Sequence, residues 1–300
     1  MHPLRRGRAA RTFLAAALAP LLVALLVWAR ARAALLSASY AAQPPLATCA
    51  AARAAAARWL AALPADTAFE PTLVHRGGHA AFGLLPPAWA APVVRYGALS
   101  DASRAPESDG AKLLLDVRGL AAPCVIYSLG GNQQTEFEEA MLAATSCAVW
   151  TFDCTVTEAA MAPLIKRTRG GAGRFFFRPY CVGGINGDRV TIKGEAVVLR
   201  SVTSIMAELS HARVDLLKMD IEGAEHDALP AFLSAIAPVA LPAQISLELH
   251  WQLRALNSLR VVRELVRAGY VLASREDNPF CTECTEVTFV SGCAAEAAAA

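Results

Sequence analysis

The segment at residues 124–153, CVIYSLGGNQQTEFEEAMLAATSCAVWTFD, constrains the fold more than any other part of the chain. Residues 125–129 form an apolar, β-rich run that is too short for a helix and ends at Gly130 and Gly131. Because glycine has no Cβ, the backbone can turn sharply there and approach a ligand closely. A second buried strand is predicted at residues 149–152, and Asp153 follows it. The segment therefore predicts a strand, a glycine turn, a helix and a parallel strand.

The helix between these strands is predicted to be amphipathic. Thr135 and Glu138 have the Thr-x-x-Glu spacing of a capping box, which would begin the helix. Phe137, Met141 and Ala144 recur at i, i+4 and i+7, so they would turn one apolar face toward the sheet.

Asp153 indicates a ligand pocket at the end of the second strand. Ligands of open α/β sheets bind beyond the carboxyl ends of the strands, where an acidic residue can accept hydrogen bonds from both hydroxyls of a ribose. The sequence Gly130-Gly131-Asn132 matches neither the dinucleotide fingerprint nor the P-loop, so a phosphate cradle has little support. A strand-to-helix turn without a ligand is the alternative, but Asp153 favours a nucleotide-type cofactor pocket.

Length and charge point to one catalytic-size domain with appendages. The chain has 300 residues, of which 55% are hydrophobic, enough for the core of one domain of about 200 residues. Its net charge is +2, and the basic residues of the folded part are interspersed with acids rather than with aromatic residues. We therefore expect no nucleic-acid partner.

The N-terminus predicts a membrane anchor. Residues 13–29 carry no charge, follow four arginines and precede Arg30 and Arg32. This length spans a thin bilayer, and the arginine excess before it places residues 1–12 in the cytosol and the rest in the lumen of the secretory pathway, in the Golgi or the ER. Two alternatives remain: cleavage in the small-residue region that follows, giving a secreted protein, or an organellar transit peptide.

The eight cysteines suit an oxidising lumen, where disulfides persist. Four of them, Cys124, Cys147, Cys154 and Cys181, lie on or beside predicted core strands, where buried free thiols are also common. The C-x-x-C pair at residues 281–284, together with residue 293, offers three zinc ligands but no fourth. We expect a local disulfide there and no metal.

The remaining pattern divides the chain into a stalk and irregular cover at residues 30–111, a catalytic domain at 112–293 and a disordered tail at 294–300. An alanine-rich stretch at 42–64 is a stalk or a short helix. The hairpin signal Asn186-Gly187 predicts a turn between residues 174–182 and 189–192. Pro230 predicts a helix start near itself, and Asn257 predicts the cap of the next helix. Further strands are predicted at 174–182, as an edge or a bulge because of Pro179, and at 214–220, 244–249, 270–273 and 286–291, the last two as antiparallel neighbours.

Three carboxylates, Asp220, Glu222 and Glu225, follow the predicted strand at residues 214–220. A carboxylate at that position points into the ligand crevice, where it can bind a cofactor amine or accept a proton from a substrate hydroxyl. The alternative is a helix N-terminus whose acids favour the helix dipole. Lys218 within this strand must either extend its ammonium group to an edge or pair with an acid, for which Glu248 on the adjacent predicted strand is one candidate.

These residues carry a resemblance. The string LLKMDIEGAE at residues 216–225, followed by the strand end ELHW at 248–251, resembles the motif of the FkbM-type family of S-adenosylmethionine-dependent methyltransferases. VIYSLGG at 125–131 and WTFDCT at 150–155 resemble the first two motifs of its methyltransferase-like branch, many members of which carry a membrane anchor. The similarity spans residues 124–291.

The resemblance implies the α/β fold of class I methyltransferases, a doubly wound, mostly parallel, Rossmann-like sheet of seven strands that binds S-adenosylmethionine across its switch point. It assigns the methionine part to Gly130 and Gly131, the ribose hydroxyls to Asp153, and the adenine slot to Cys154 and Val182, with Asn132 as a further cofactor-binding residue. Asp220 and Glu222 would lie under the sulfonium, with His250 as the nearest candidate base.

The sequence favours methyl transfer over other classes. A nicotinamide dehydrogenase lacks its glycine fingerprint here, and a hydrolase lacks the G-x-S-x-G elbow. The expected acceptor is a hydroxyl of a small molecule or a glycan. An inactive, membrane-anchored lumenal binding module is the alternative, because the first motif lacks the usual glycine spacing.

Overall fold

A computed structural model of the chain describes residues 48–63, 85–97, 110–192, 194–278, 281 and 283–292. The predicted anchor at 13–29, the cytosolic segment at 1–12 and the tail at 294–300 lie outside these residues. Among the helices that are described, none combines the length and the apolar character needed to cross a bilayer.

A seven-stranded sheet forms the centre of the protein. Its strands are β3 (Val125–Leu129), β4 (Ala148–Phe152), β5 (Phe175–Arg178), β9 (Leu216–Met219), β10 (Gln244–His250), β11 (Tyr270–Asp277) and β12 (Cys284–Ser291). Their order is β11-β12-β10-β9-β3-β4-β5, and β12 pairs antiparallel with both of its neighbours. The mostly parallel seven-stranded sheet predicted above is therefore confirmed. The chain winds outward in both directions from the boundary between β3 and β9, which is the switch point where ligands of such sheets bind.

Helices cover both faces of this sheet. They are α1 (Cys49–Ala62), α2 (Glu136–Ala144), α3 (Glu158–Arg167), α4 (Val202–Glu208), α5 (Glu225–Ala235) and α6 (Trp251–Arg267). One hydrophobic core joins the sheet to α4, α5 and α6, and the other joins the opposite face to α2 and α3. The alanine-rich helix α1 packs on the sheet near β11 through Ala52, so this part of the predicted cover belongs to the folded body.

Two smaller sheets complete the described part. β1 (Val93–Tyr96) and β2 (Lys112–Leu115) form an antiparallel ribbon that lies on the α2 face and contacts β10, β11 and β12. The other contains β6 (Cys181–Val182), β7 (Arg189–Ile192) and β8 (Glu195–Arg200).

Several local predictions were wrong. The turn at Asn186-Gly187 does not join paired strands, because β7 pairs with β8, which follows it in the chain. The predicted strand at 174–182 splits at Pro179 into the edge strand β5 and the separate strand β6, which agrees with the expected interruption.

Helix starts also differ from the prediction. Helix α5 begins at Glu225 and contains Pro230, because the loss of one backbone donor there is outweighed by the burial of side chains one turn earlier. Helix α6 begins at Trp251, so Asn257 lies inside it rather than capping it. Thr135 precedes α2 as predicted but forms no capping box: its hydroxyl donates to Glu139 Oε1 at 3.0 Å, and the Glu138 side chain accepts from the hydroxyl of Thr151.

Candidate active site

The glycine turn after β3 lies against the turn after β9. Gly130 has φ +80°, and a Cβ built on it would lie 1.7 Å from the carbonyl oxygen of Asp220. A side chain at residue 130 would therefore separate the two turns. Asn132 and Gln133 follow with φ of 38° and 60°, a left-handed conformation that non-glycine residues adopt at a cost.

Asp153 holds this strained turn. Its Oδ2 accepts hydrogen bonds from the backbone N–H groups of Gly131 (3.1 Å) and Asn132 (2.8 Å). Its Oδ1 accepts from the backbone and the hydroxyl of Thr155, at 2.8 and 2.7 Å. Four donors fill the hydrogen-bonding capacity of a carboxylate. Ribose hydroxyls would have to replace some of these donors, so the predicted ribose contact competes with a structural role.

A disulfide fixes the wall beside Asp153. Cys154 is bonded to Cys181, which ties the end of β4 to β6 and places Val182 at the same wall. Cys124–Cys147 and the local pair Cys281–Cys284 are also disulfides, as expected for the latter, and Cys49 is disulfide-bonded too. The core-strand cysteines, for which free thiols were the alternative, are thus paired.

These turns enclose a cavity of about 480 Å³ at the switch point. This volume lies within the range of small-molecule and cofactor pockets. Its wall contains all the predicted cofactor residues and two of the three predicted catalytic residues: Gly130, Gly131, Asn132, Asp153, Cys154, Val182, Asp220 and Glu222. The glycine that admits no Cβ and the polar wall fit a nucleoside-type cofactor with an amino-acid end.

A row of carboxylates crosses the sheet at the floor of this cavity. The three acids are adjacent because β9, β10 and β12 are neighbouring strands; they are Asp220, Glu248 and Glu286. One carboxylate oxygen of each lies within 4.8 Å of the others. Lys112 of the ribbon contacts Glu286 and lies 3.7 Å from Asp220 Oδ2. Lys218 donates to the carbonyl oxygen of Gly130 and also lies 3.7 Å from Asp220 Oδ2. The ammonium groups of Lys112 and Lys218 thus lie beside the three carboxyl groups. The five side chains form an internal ion cluster rather than an open cation site.

The partner predicted for Lys218 was therefore wrong, because its ammonium group meets Asp220 and not Glu248. Glu248 instead accepts a hydrogen bond from the amide of Asn278, at 2.6 Å.

The cluster separates the pKa values of its acids. Burial favours protonated Asp220, but the charges of Lys218 and Lys112 lower its pKa to about 2. Burial and the charges of Asp220 and Glu286 raise the pKa of Glu248 to about 9. Burial likewise raises the pKa of Glu286 to about 7, against the opposing charge of Lys112. Near neutral pH, Asp220 is therefore ionised and Glu248 carries a proton. Two neighbouring carboxyl groups with such different pKa values are typical of acid–base sites.

His250 lies behind this floor. It is only 3% exposed and is not among the described residues that line the cavity. Its Nδ1 lies 2.9 Å from Glu225 Oε1, and its Nε2 faces Glu222 Oε2 at 3.4 Å and Glu248 Oε2 at 3.8 Å. Burial alone would lower the pKa of His250, but the hydrogen bond and charge of Glu225, helped by Glu248 and Asp220, raise it to about 9. A substrate in the cavity would meet Glu248 before His250.

The sequence missed four residues of this site. Glu248 directly follows Leu247, the last residue of β10 that pairs with the parallel strand β9, so it lies level with Asp220, and the carboxyl-end rule that found Asp220 could also have found it. Lys112 and Glu286 come from strands far away in the sequence, and no local signal marks them. Glu138 is 1% exposed and lines the cavity from α2, where burial raises its pKa, and its position in a capping-box pattern concealed this role.

A family model described as a methyltransferase domain matches residues 100–291, almost two thirds of the chain. The chain belongs to the methyltransferase-domain family. Membership implies S-adenosylmethionine as the methyl donor, and the chain is an S-adenosylmethionine-dependent methyltransferase by family. No curated protein sequence matches it.

Solved structures that resemble this methyltransferase domain are distant. A fibrillarin pre-rRNA processing protein from Methanococcus jannaschii has 11% identity and a TM-score of 0.35, with 57% of this chain and 68% of that chain covered. An O-methyltransferase family protein from Burkholderia thailandensis has 10% identity and a TM-score of 0.36, with 56% of this chain covered. The match spans 51% of that second protein. Similarity of this degree supports no conclusion about the acceptor.

Proposed function

We propose that the protein transfers the methyl group of S-adenosylmethionine to a hydroxyl group of a small molecule or a glycan. The observation that carries this proposal is the carboxyl pair of Asp220 and Glu248 at the floor of the cavity, directly beside the glycine turn. Acceptors that are already good nucleophiles need mainly positioning, whereas a hydroxyl must also lose a proton. A buried pair of acids in two protonation states suits the second case.

S-adenosylmethionine, when bound, supplies an electrophilic methyl group on a positively charged sulfur. The residues of the chain would bind and orient it: Gly130 and Gly131 leave space for the methionine part, and Cys154 and Val182 form the wall for the base. Asn132 and Asp153 would contact the cofactor from the same turn. The ionised Asp220 would face the positive sulfur, which a carboxylate stabilises in a partly buried site.

We also propose that the chain belongs to the FkbM-type branch of these enzymes, because residues 216–225 read LLKMDIEGAE. A single-pass membrane protein with its catalytic domain in the Golgi or ER lumen is proposed from residues 13–29 and their flanking arginines. The disulfides support an oxidising compartment. Digestion of the C-terminus by protease added to sealed microsomes would contradict this orientation.

Calorimetric titration with S-adenosylmethionine, followed by a radiolabelled methyl-acceptor screen, tests the function. The expected result is cofactor binding and labelling of a hydroxyl compound by the wild type, with labelling reduced at least about 100-fold in Asp220→Asn. A folded protein that binds no S-adenosylmethionine would instead be the inactive lumenal binding module. A destabilised but fully active Asp220→Asn protein would contradict a role of this carboxylate in the reaction.

A further inference from the structure

Transfer of a methyl group to a hydroxyl releases one proton per turnover, and this inference rests on the proposed function. The new bond joins the acceptor oxygen to the methyl carbon, and the carbon–sulfur bond breaks with its electron pair left on sulfur. The hydroxyl proton must leave the acceptor oxygen. Asp220 and Glu248 line the floor of the cavity, so their carboxyl groups are placed to receive it.

Three titratable side chains, those of Glu248, His250 and Glu222, lead from this floor to the surface. Glu248 lines the cavity next to Asp220, and its Oε2 lies 3.8 Å from Nε2 of His250. The same Nε2 lies 3.4 Å from Oε2 of Glu222, whose side chain is 89% exposed at the mouth of the cavity. Both separations are longer than hydrogen bonds, and the exposed Glu222 can shorten its own by a side-chain rotation. Distances of this kind often shorten when ligands bind.

The backbone supports this arrangement. Glu222 has φ +55°, a left-handed conformation that costs free energy for a residue with a Cβ. Glu225 maintains the turn, because its Oε2 accepts from the N–H of Gly223 at 2.7 Å while its Oε1 binds His250. The strained turn is what brings the Glu222 side chain to the histidine.

We propose that Glu248, His250 and Glu222 form a proton exit route from the cavity, with Glu248 as the group that receives the acceptor proton and Nε2 of His250 as the atom that passes it on. His250 thus acts through Glu248 and not directly on the acceptor. This role differs from that of direct base, which the sequence analysis suggested for His250.

The proton moves balance over one turnover. Nδ1–H of His250 stays bound to Glu225, so only Nε2 exchanges. Nε2 first releases its proton to Glu222 and from there to solvent. It then takes the proton held by Glu248. The resulting carboxylate of Glu248 accepts the proton of the acceptor hydroxyl. One proton enters at the floor, one leaves at the surface, and the side chains return to their starting state.

The electrostatic surroundings favour transfer between the two groups. On the side of the sheet, Glu248 interacts electrostatically with Asp220, Glu286 and Lys112, and Lys218 lies 3.7 Å from Asp220. Among the described residues, the charged groups nearest to His250 are the carboxyl groups of Glu222, Glu225 and Glu248, with Asp220 beyond them, and the disulfide-bonded Cys284 also lies close to its ring. Burial and neighbouring carboxyl groups raise the pKa of Glu248, and Glu225 and Glu248 raise that of His250, so that each side chain can hold a proton near neutral pH.

A purely structural ion cluster is the competing explanation. One measurement tests whether Glu248 and His250 are coupled at all, which the relay requires, and a second measurement separates the relay from the ion cluster. The first needs no turnover: the ring resonances of His250 are titrated by NMR in the cofactor-free wild type and in Glu248→Gln. The relay predicts that the neutral amide lowers the pKa of His250 by at least about one unit, the least expected of charges about 4 Å apart. An unchanged pKa would show that the two side chains are not coupled and would overturn the proposal.

The second measurement is chemical rescue. The His250→Ala protein should bind S-adenosylmethionine normally and turn over about 100-fold more slowly. Free imidazole, which can occupy the vacated space and carry the proton, should restore most of that rate. Glu222→Gln should lower the rate less, because the position of this side chain is 89% exposed and water there can accept the proton in its place.

The matched control is His226→Ala. His226 is buried beside the same Glu225, at 3.8 Å from its Oε1, but its Nε2 contacts Ser258 rather than the cavity acids. It should show no response to imidazole.

Full activity of His250→Ala, or lost activity without rescue while cofactor binding is intact, would overturn the relay and leave the proposed function standing. A wild type that binds cofactor but labels no hydroxyl compound would overturn the proposed function, and the relay with it. If His250→Ala does not fold, His250→Gln and its pH–rate profile decide. If the rate of His250→Gln changed with pH on the alkaline side of this profile in the same way as the rate of the wild type, the relay would be overturned.

Discussion

Replacing Asp153 with alanine should destabilise the protein as well as its cofactor complex, because this carboxylate holds the glycine turn. The N–H of Gly131 is a buried donor, and leaving it unsatisfied costs about 1–3 kcal/mol. The donors on Asn132 and Thr155 are only partly buried, so water replaces part of what they lose. Allowing for non-additivity, we expect the free energy of unfolding to fall by about 3 kcal/mol.

Urea denaturation of matched variants measures this effect. Asp153→Asn should lower the free energy of unfolding less than Asp153→Ala does. The amide oxygen can still accept from one pair of donors, either the N–H groups of Gly131 and Asn132 or the two donors of Thr155, while the NH₂ group faces the other pair. Asp188→Ala is the control, since that side chain is exposed and should change stability by no more than about 0.5 kcal/mol. Calorimetry with S-adenosylmethionine on the same preparations separates the two roles. An alanine variant with full stability and weakened binding would refute the structural role and support a ribose contact.

Three further predictions concern other parts of the site. Gly130→Ala should prevent folding or abolish cofactor binding, because its Cβ would overlap the facing turn. The control Gly119→Ala should be tolerated, because a Cβ there meets nothing within 4 Å. Equal melting temperatures of the two variants, with cofactor binding intact in both, would contradict this prediction. Protonated His250 stabilises the fold fully below pH 6.5 and loses this contribution, on the order of 3 kcal/mol, as pH rises through about 9. Urea titrations in which stability increases over this window would exclude it. Replacement of both Cys154 and Cys181 by serine should weaken S-adenosylmethionine binding measurably by calorimetry, because their disulfide fixes the cavity wall, and unchanged affinity would show the wall to be stable without it.

The site could be predicted only as far as local rules reach. Gly130, Asp153 and Asp220 each follow a strand, and the rule that parallel strands present their carboxyl ends at one edge was enough to bring them into one cavity. The same rule applied to β10 would have added Glu248. His250 was found as a titratable residue near the strand end, but its place behind Glu248 depends on how Glu225 turns its ring.

The sequence by itself determined the α/β class, the strands of the central sheet and the helix after the glycine turn, because hydrophobic period and glycine turns act over a few residues. Only the tertiary structure decided which strands are neighbours, and therefore that Glu286 and Lys112, from β12 and the ribbon, meet Asp220. It also decided the disulfide partners and drew Glu138 from a helix cap into the cavity wall. These contacts join segments that are distant in the chain, and their free energy depends on burial and opposing charges that exist only after the sheet has formed.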